Sequence, residues 1–214
     1  MSDLPVPEAL FRRMITLLII LVTCVVSIVA FRNQRLMDDL ILWPPALSRS
    51  REYYRLVSYG LVHADTSHLF FNMISLYFAG RIMEEYFTAA MGPLGFLTFY
   101  IGALLFSILP SYMANRRNAG YRSLGASGAV SAILFSFILL SPWSRIYLII
   151  VPMPAIIYAA LFVAYSVFMD KRGGDNVNHS AHLWGAVYGV IFTIALNPAV
   201  LPHFINVLSQ PRLF

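Results

Sequence analysis

A serine and a histidine stand out because each is a reactive group set in sequence apolar enough to lie in a bilayer. Ser127 sits in the run Gly125-Ala126-Ser127-Gly128, and His182 in Ala181-His182-Leu183-Trp184-Gly185. A polar or ionisable side chain at membrane depth is costly and usually serves a site. A hydroxyl and an imidazole are also the two parts of an activated nucleophile, the base taking the proton as the oxygen attacks. Acyl transfer within a membrane is therefore the chemistry to weigh.

Whether the two can meet depends on their surroundings. Gly125, Ser127, Gly128 and Ser131 occupy the first turns of one apolar stretch, where small residues let neighbouring backbones approach closely. Helix packing alone accounts for such a run, and the run departs from the soluble-hydrolase elbow, which needs glycine where this chain has Ala129. Favouring chemistry, a serine near a helix N-terminus has free backbone N–H groups available to a developing oxyanion. His182, Gly185, Ala186 and Gly189 fall at i, i+3, i+4 and i+7, on one helix face. An imidazole there can equally be a structural donor across a bundle. A third stripe, His68, Asn72, Ser75 and Ala79, can cap a helix, join helices, or point donors at a tetrahedral intermediate. His63 with His68, or His179 with His182, also read as metal-ligand pairs, but no His-Glu-x-x-His occurs. No metal or other cofactor is expected.

Composition fixes the class. Of 214 residues, 59% are hydrophobic and 12% charged, against roughly 45–50% and about 25% in a soluble domain. The net charge of +5 is scattered without a basic stripe, so nucleic acid is not an expected partner. Cys24 is the chain's single cysteine, so no intrachain disulfide can form. Six apolar stretches approach the roughly 20 residues needed to cross the hydrocarbon: 14–30, 68–87, 94–113, 125–140, 146–169 and 181–196. The fold expected is an all-α membrane protein, a six-transmembrane-helix bundle with a long structured first loop. Residues 1–13 read as a short N-terminal tail, 14–200 as the bundle domain and 201–214 as a C-terminal tail. The first stretch could be a signal peptide, but Arg32, Asn33, Gln34 and Arg35 follow it without a cleavage site, so it is read as a span. Met91-Gly92-Pro93 predicts an antiparallel hairpin of the second and third spans, and Pro152 and Pro154 predict a kink in the fifth. A small transporter would need a polar path across several helices, which the spans offer only at the three clusters.

The ordered combination resembles the rhomboid intramembrane serine proteases. Gly125-Ala126-Ser127-Gly128 is similar to their Gly-x-Ser-Gly element, and Ala181 to Gly189 to their Ala-His-x-x-Gly-x-x-x-Gly. His68 and Asn72, with His63 upstream, match the histidine and asparagine of the second helix, and Gly80 to Glu84 its Gly-x-x-x-Glu. The resemblance implies a rhomboid-like bundle with Ser127 as nucleophile and His182 as general base and then acid. An oxyanion site would be formed by the Ser127 N–H with His68 and Asn72. It implies a dyad with no orienting carboxylate, and substrates that are transmembrane helices of single-pass or multi-pass membrane proteins, cut within the lipid bilayer. Catalytically inactive relatives that bind membrane clients are the alternative. Two departures stand out: the family's Trp-Arg is Tyr54-Arg55 here, and Ser131 replaces an aromatic that some members carry. The imidazole is then expected to be positioned by the glycine-rich faces.

For a bacterial member the resemblance places the chain in the inner membrane with the active site on the non-cytoplasmic side. The basic residues count against that orientation. Arg12, Arg13, Arg81, Arg145 and Arg212 would be cytoplasmic, whereas Arg32, Arg35, Arg49, Arg51, Arg55, Arg116, Arg117, Arg122, Lys171 and Arg172 would not. A bare positive-inside count favours the reverse, although long structured loops weaken that rule.

Overall fold

A computed structural model of the chain describes residues 14–148, 151–175 and 177–211, and the expected N-terminal tail, 1–13, lies outside them. Helix α1, Met14–Ala30, opens without an acidic residue in its own first turn. Glu84 supplies the missing acceptor: its carboxylate takes the N–H groups of Ile15 at 2.8 Å and Thr16 at 2.9 Å. The positive end of the helix dipole is thereby neutralised, which explains a fully buried glutamate in apolar sequence. Gly80 makes room for this contact, since a Cβ there would press on Leu76 and Thr16.

The first loop is built, as expected, from short elements: α2 (Gln34–Leu40), α3 (Pro44–Arg49) and α4 (Arg55–Ser58), which runs into a 3₁₀ turn at Tyr59–Leu61. Asn33 caps α2, and proline opens α3 where a missing N–H costs nothing. Arg55 staples the loop. Its guanidinium reaches the Glu52 carboxylate at 2.6 Å and the carbonyls of Asp38 and Ile41 at 2.6 and 2.9 Å, a use of the forked donors that lysine could not reproduce. Tyr54 keeps an aromatic ring beside that guanidinium, 5.5 Å away. The Trp43 indole donates to the Ala119 carbonyl, and Leu42 bridges Ser123. The first loop is thus tied to the segment that leads into Ser127.

Asp65 caps α5 (Thr66–Ser75), so the second helix starts just before His68. It continues through one π turn at Leu76–Gly80 into α6 (Arg81–Met91). The chain turns at Gly92, whose φ is +84°, and returns as α7 (Gly95–Asn115), the hairpin read from the sequence. Helix α8 (Ser127–Leu140) is the centre of the molecule, with ten of its fourteen residues buried. Helix α10 (His179–Leu196) packs along it, and α7 flanks both.

Three expectations are corrected. The fifth stretch is not one kinked helix from 146 to 169, and the fold is not purely helical. Arg145–Leu148 (β1) and Val151–Pro154 (β2) form an antiparallel hairpin, and only then does α9 (Ala155–Arg172) begin. Inside a helix each proline would forfeit a hydrogen bond and clash with the preceding turn, whereas a two-stranded edge tolerates it. The C-terminal segment is not a tail either: Val200–Leu208 forms a helix, α11. Pro202 lies in its first turn, where N–H groups lack intrahelical partners anyway. The Trp143 indole donates to the Val207 carbonyl at 2.9 Å, and the His203 ring contacts the Leu140 carbonyl at 3.0 Å, seating α11 beneath α8.

The outward faces are apolar; α1 exposes Leu17, Leu18, Leu21 and Val25. Gly95–Asn115 and His179–Leu196 are long and apolar enough to cross a membrane, and Met14–Ala30 and Ser127–Leu140 are apolar but shorter. Helix α9 buries only Ala155, Ala159 and Ser166, and is the least embedded of the long helices.

Candidate active site

The small-residue faces of α8 and α10 meet as their spacing predicts. A methyl group on Gly185 would overlap the Gly128 carbonyl, and one on Gly189 the Ala132 carbonyl. Gly128 in turn abuts Ser107 of α7. Thr193 donates to Ser136 at 2.9 Å, and the Ser136 hydroxyl lies 3.1 Å from the Gly189 carbonyl, so polar bridges extend the contact. This close approach brings His182 Nε2 to 2.7 Å from Ser127 Oγ. For Ser127 to donate, Nε2 must be bare, which places the imidazole proton on Nδ1.

The other side of Ser127 depends on Gly125. Its φ of +107° lies in the region that favours glycine, and a Cβ there would come within 2.6 Å of the His68 ring. His68 can therefore lie against the backbone that precedes the serine. Ala126, at the N-cap of α8, has no side-chain acceptor, which leaves first-turn N–H groups free for an anionic oxygen. His68, Asn72, Ser127 and His182 line one cavity of about 1040 Å³. Asn72 donates one amide proton to the His68 carbonyl at 2.9 Å and keeps a second donor. Ser131 lines the same cavity but spends its hydroxyl proton on the Ser127 carbonyl at 2.8 Å, whereas Ala79 is buried in the core.

His63, read from sequence as an upstream match or half of a metal pair, has a different place. Its ring is fully buried and edge-on to His68, with centroids 4.9 Å apart. Nε2 accepts the Ala126 N–H at 3.3 Å, so neutral His63 carries its proton on Nδ1 and donates to Ser27 Oγ at 3.0 Å, which donates to the Leu61 carbonyl. Both nitrogens are spent on fixing the turn before Ser127, which argues against a metal pair with His68. The other pair, His179 and His182, sit edge to face at 5.7 Å, while His179 Nε2 contacts Asp175 at 3.0 Å. Asn178 is a junction that sequence reasoning missed. It accepts the Ala181 N–H and the Ser111 hydroxyl, and donates to Tyr121 and Ser123. Asn178 lies four residues before His182, a position at which a cap was readable. Also missed is Phe162 of α9, tilted 30° against the His182 ring at 5.8 Å. The imidazole is therefore flanked by rings and not by glycine faces alone.

His63 lies in the connection ahead of α5, where burial first, and then the neighbouring His68, push its pKa down to about 3. The unfolded value is about 6.5, so the unfolded chain takes up a proton that the folded chain refuses. Stability is unaffected above pH 6.5 and falls as the pH drops from there toward 3, by up to about 1.4 kcal/mol per unit from this group. Thermal unfolding in detergent from pH 7.5 to 4 should show a shallower acid decline in His63→Gln than in wild type. Parallel curves would remove His63 from the account. His63→Ala should be destabilised by about 1–3 kcal/mol at neutral pH, because the Ala126 N–H loses its acceptor.

Residues 50–199 match the Rhomboid domain family. The chain is 30% identical over 175 residues to RHOMBOID-like protein 12, mitochondrial, of Arabidopsis thaliana, covering 74% of this chain and 51% of that protein. It is 29% identical over 154 residues to Rhomboid-like protein 11, chloroplastic, of the same plant, covering 68% and 53%. It is 29% identical over 144 residues to Rhomboid protein 1, mitochondrial, of Saccharomyces cerevisiae, covering 64% and 40%. The chain spans about half the length of the two plant relatives.

Proposed function

The chain belongs to the rhomboid family, and on that premise we propose that it is an intramembrane serine endopeptidase cutting transmembrane helices with a Ser127–His182 dyad. The observation that carries this reading is the 2.7 Å contact between His182 Nε2 and Ser127 Oγ, made between two separate helices. Ser127 Oγ attacks the scissile carbonyl while His182 Nε2 takes its proton. The resulting oxyanion is met by the Ser127 N–H and by donors from His68 and Asn72. His182 then protonates the leaving amine, and a water activated by the same nitrogen hydrolyses the acyl-enzyme.

Rhomboid-family proteins are membrane-embedded, and the six crossings we assign are α1, α5 with α6, α7, α8, α9 and α10. The fourteen residues of α8 span about 21 Å at 1.5 Å each, less than the roughly 30 Å hydrocarbon core. Its first residue, Ser127, then lies below the membrane surface, under the segment 116–126, with water reaching it through the cavity. Substrates with helix-weakening residues near the cut are expected, because an intact helix hides its carbonyls. Membrane embedding carries over from the relatives; a bacterial inner membrane does not, since those named are mitochondrial and chloroplastic. We assign the cavity to the non-cytoplasmic side, against the positive-inside count; a reporter at Asn115 that reads cytoplasmic would reverse this.

The test is cleavage of a single-span transmembrane substrate in liposomes. Wild type should cut it, and Ser127→Ala and His182→Ala should not. Equal cleavage by all three sinks the dyad. Failure of all three to cut, with the substrate still bound, would support the client-binding alternative.

A further inference from the structure

We propose that Phe162 is the positioning residue of the His182 imidazole, so that the seating of α9 determines whether the dyad is aligned. The inference rests on the serine-protease reading and deepens it. A dyad without a carboxylate needs something else to fix the tilt of its imidazole, because rotation about the Cβ–Cγ bond swings Nε2 away from the serine. Among the described residues, the His182 side chain has one hydrogen bond, to Ser127. Its remaining restraints are rings.

Those rings come from two directions. Phe162 lies 30° from parallel with centroids at 5.8 Å, and His179 meets the imidazole at 80° and 5.7 Å. One contact restrains tilt and the other restrains sliding, so together they define the plane in which Nε2 points at Ser127. Each ring is itself backed. Tyr158 and Phe135 lie against Phe162 at 5.9 and 5.6 Å. Asp175 contacts His179 Nε2 at 3.0 Å, and Tyr165 meets its ring edge-on at 5.5 Å. Tyr158, Phe162 and Tyr165 fall at i, i+4 and i+7, so one face of α9 presents an aromatic stripe, and its last two rings meet two histidines one turn apart on α10.

The stripe also has an electrostatic consequence. When His182 takes the serine proton it becomes a cation, and a ring face within about 6 Å attracts a cation. Phe162 thus favours the charged imidazole of the transition state over the neutral one of the resting site. Helix α9 fully buries only three small residues, Ala155, Ala159 and Ser166, so its seat against α10 rests largely on the aromatic stripe. Moving the helix outward removes Phe162 from His182, which leaves the dyad slack until α9 returns.

The test separates alignment from access. Phe162→Leu and Phe162→Tyr are compared with wild type in two assays: kcat and KM on a single-span substrate, and the rate at which a small fluorophosphonate labels Ser127. The small probe needs an aligned dyad but no transmembrane helix at the cavity. Phe162→Leu should lower kcat and the labelling rate together, by roughly tenfold, with KM little changed. Phe162→Tyr keeps the ring face and should restore both to within about twofold of wild type. If Phe162→Leu does not fold, Phe162→Met serves in its place. Unchanged or faster labelling, with an effect confined to the KM of the transmembrane substrate, would overturn the proposal and make Phe162 an access contact. Cleavage by Ser127→Ala at the wild-type rate would instead sink the underlying protease reading, whatever Phe162 does.

Discussion

Ser127→Ala, His182→Ala and the double substitution should all lower kcat/KM for a transmembrane substrate by about the same factor, roughly 10⁴ or more. The reason for the shared factor is that the two groups act as one unit. Without the imidazole the Ser127 hydroxyl keeps its proton and is a poor nucleophile. Without the hydroxyl the imidazole has nothing to activate, so the second loss removes little that the first has left. Their 2.7 Å contact makes this the expected pattern. His68→Ala and Asn72→Ala should behave differently, each lowering kcat by about 10²–10³ while leaving the nucleophile intact, because each removes one donor to the oxyanion. The measurement is a set of single-turnover cleavage rates with fluorophosphonate labelling of each variant. A double mutant whose loss is the product of the two single losses would show that Ser127 and His182 act independently, and the dyad would fall.

The parts of this arrangement that could be read from sequence are those encoded by local spacing. Gly185 and Gly189 lie on the face of His182 because an α-helix repeats every 3.6 residues, and Gly128 sits beside Ser127 in the chain, so the meeting of two small-residue faces was legible before any coordinates. The turn at Gly92 was legible for the same reason, as a Gly-Pro break between two apolar runs. What was misread depended on context that hydropathy cannot carry. Ile146 to Met169 is apolar throughout, and an apolar run looks alike whether it is strand or helix; only the two prolines favoured the hairpin, and a kink accounts for them equally well. Helix α11 was not legible because a proline is ordinarily a helix breaker, although Pro202 falls in a first turn, where it is tolerated. The ring contact of Phe162 with His182, the Glu84 clamp on α1 and the hydrogen bonds of His63 join residues from different helices or loops. No periodicity within one segment could reveal them.

The close approach of α8 and α10 carries the second large expectation, that Gly185→Ala should disable the dyad without touching either of its members. A Cβ at 185 would overlap the Gly128 carbonyl, which is backbone and cannot swing aside as a side chain would. The two helices must separate by about one ångström, at an overpacking cost of about 1–3 kcal/mol. Gly185 lies one turn from His182, and Gly128 follows Ser127 directly, so the separation is felt almost undiminished between Nε2 and Oγ. Displacement of that size should lower kcat by roughly 10²-fold. Gly189→Ala meets the Ala132 carbonyl in the same way, but one turn further from the reacting atoms. There the helices can splay about the unaltered contact at Gly185, so Gly189→Ala should lose comparable stability with a distinctly smaller loss of kcat. Thermal unfolding in detergent, measured beside the fluorophosphonate labelling rate, distinguishes the two effects. If Gly185→Ala is destabilised yet labels Ser127 as fast as wild type, the glycine contact serves only stability, and some other restraint brings His182 to the serine.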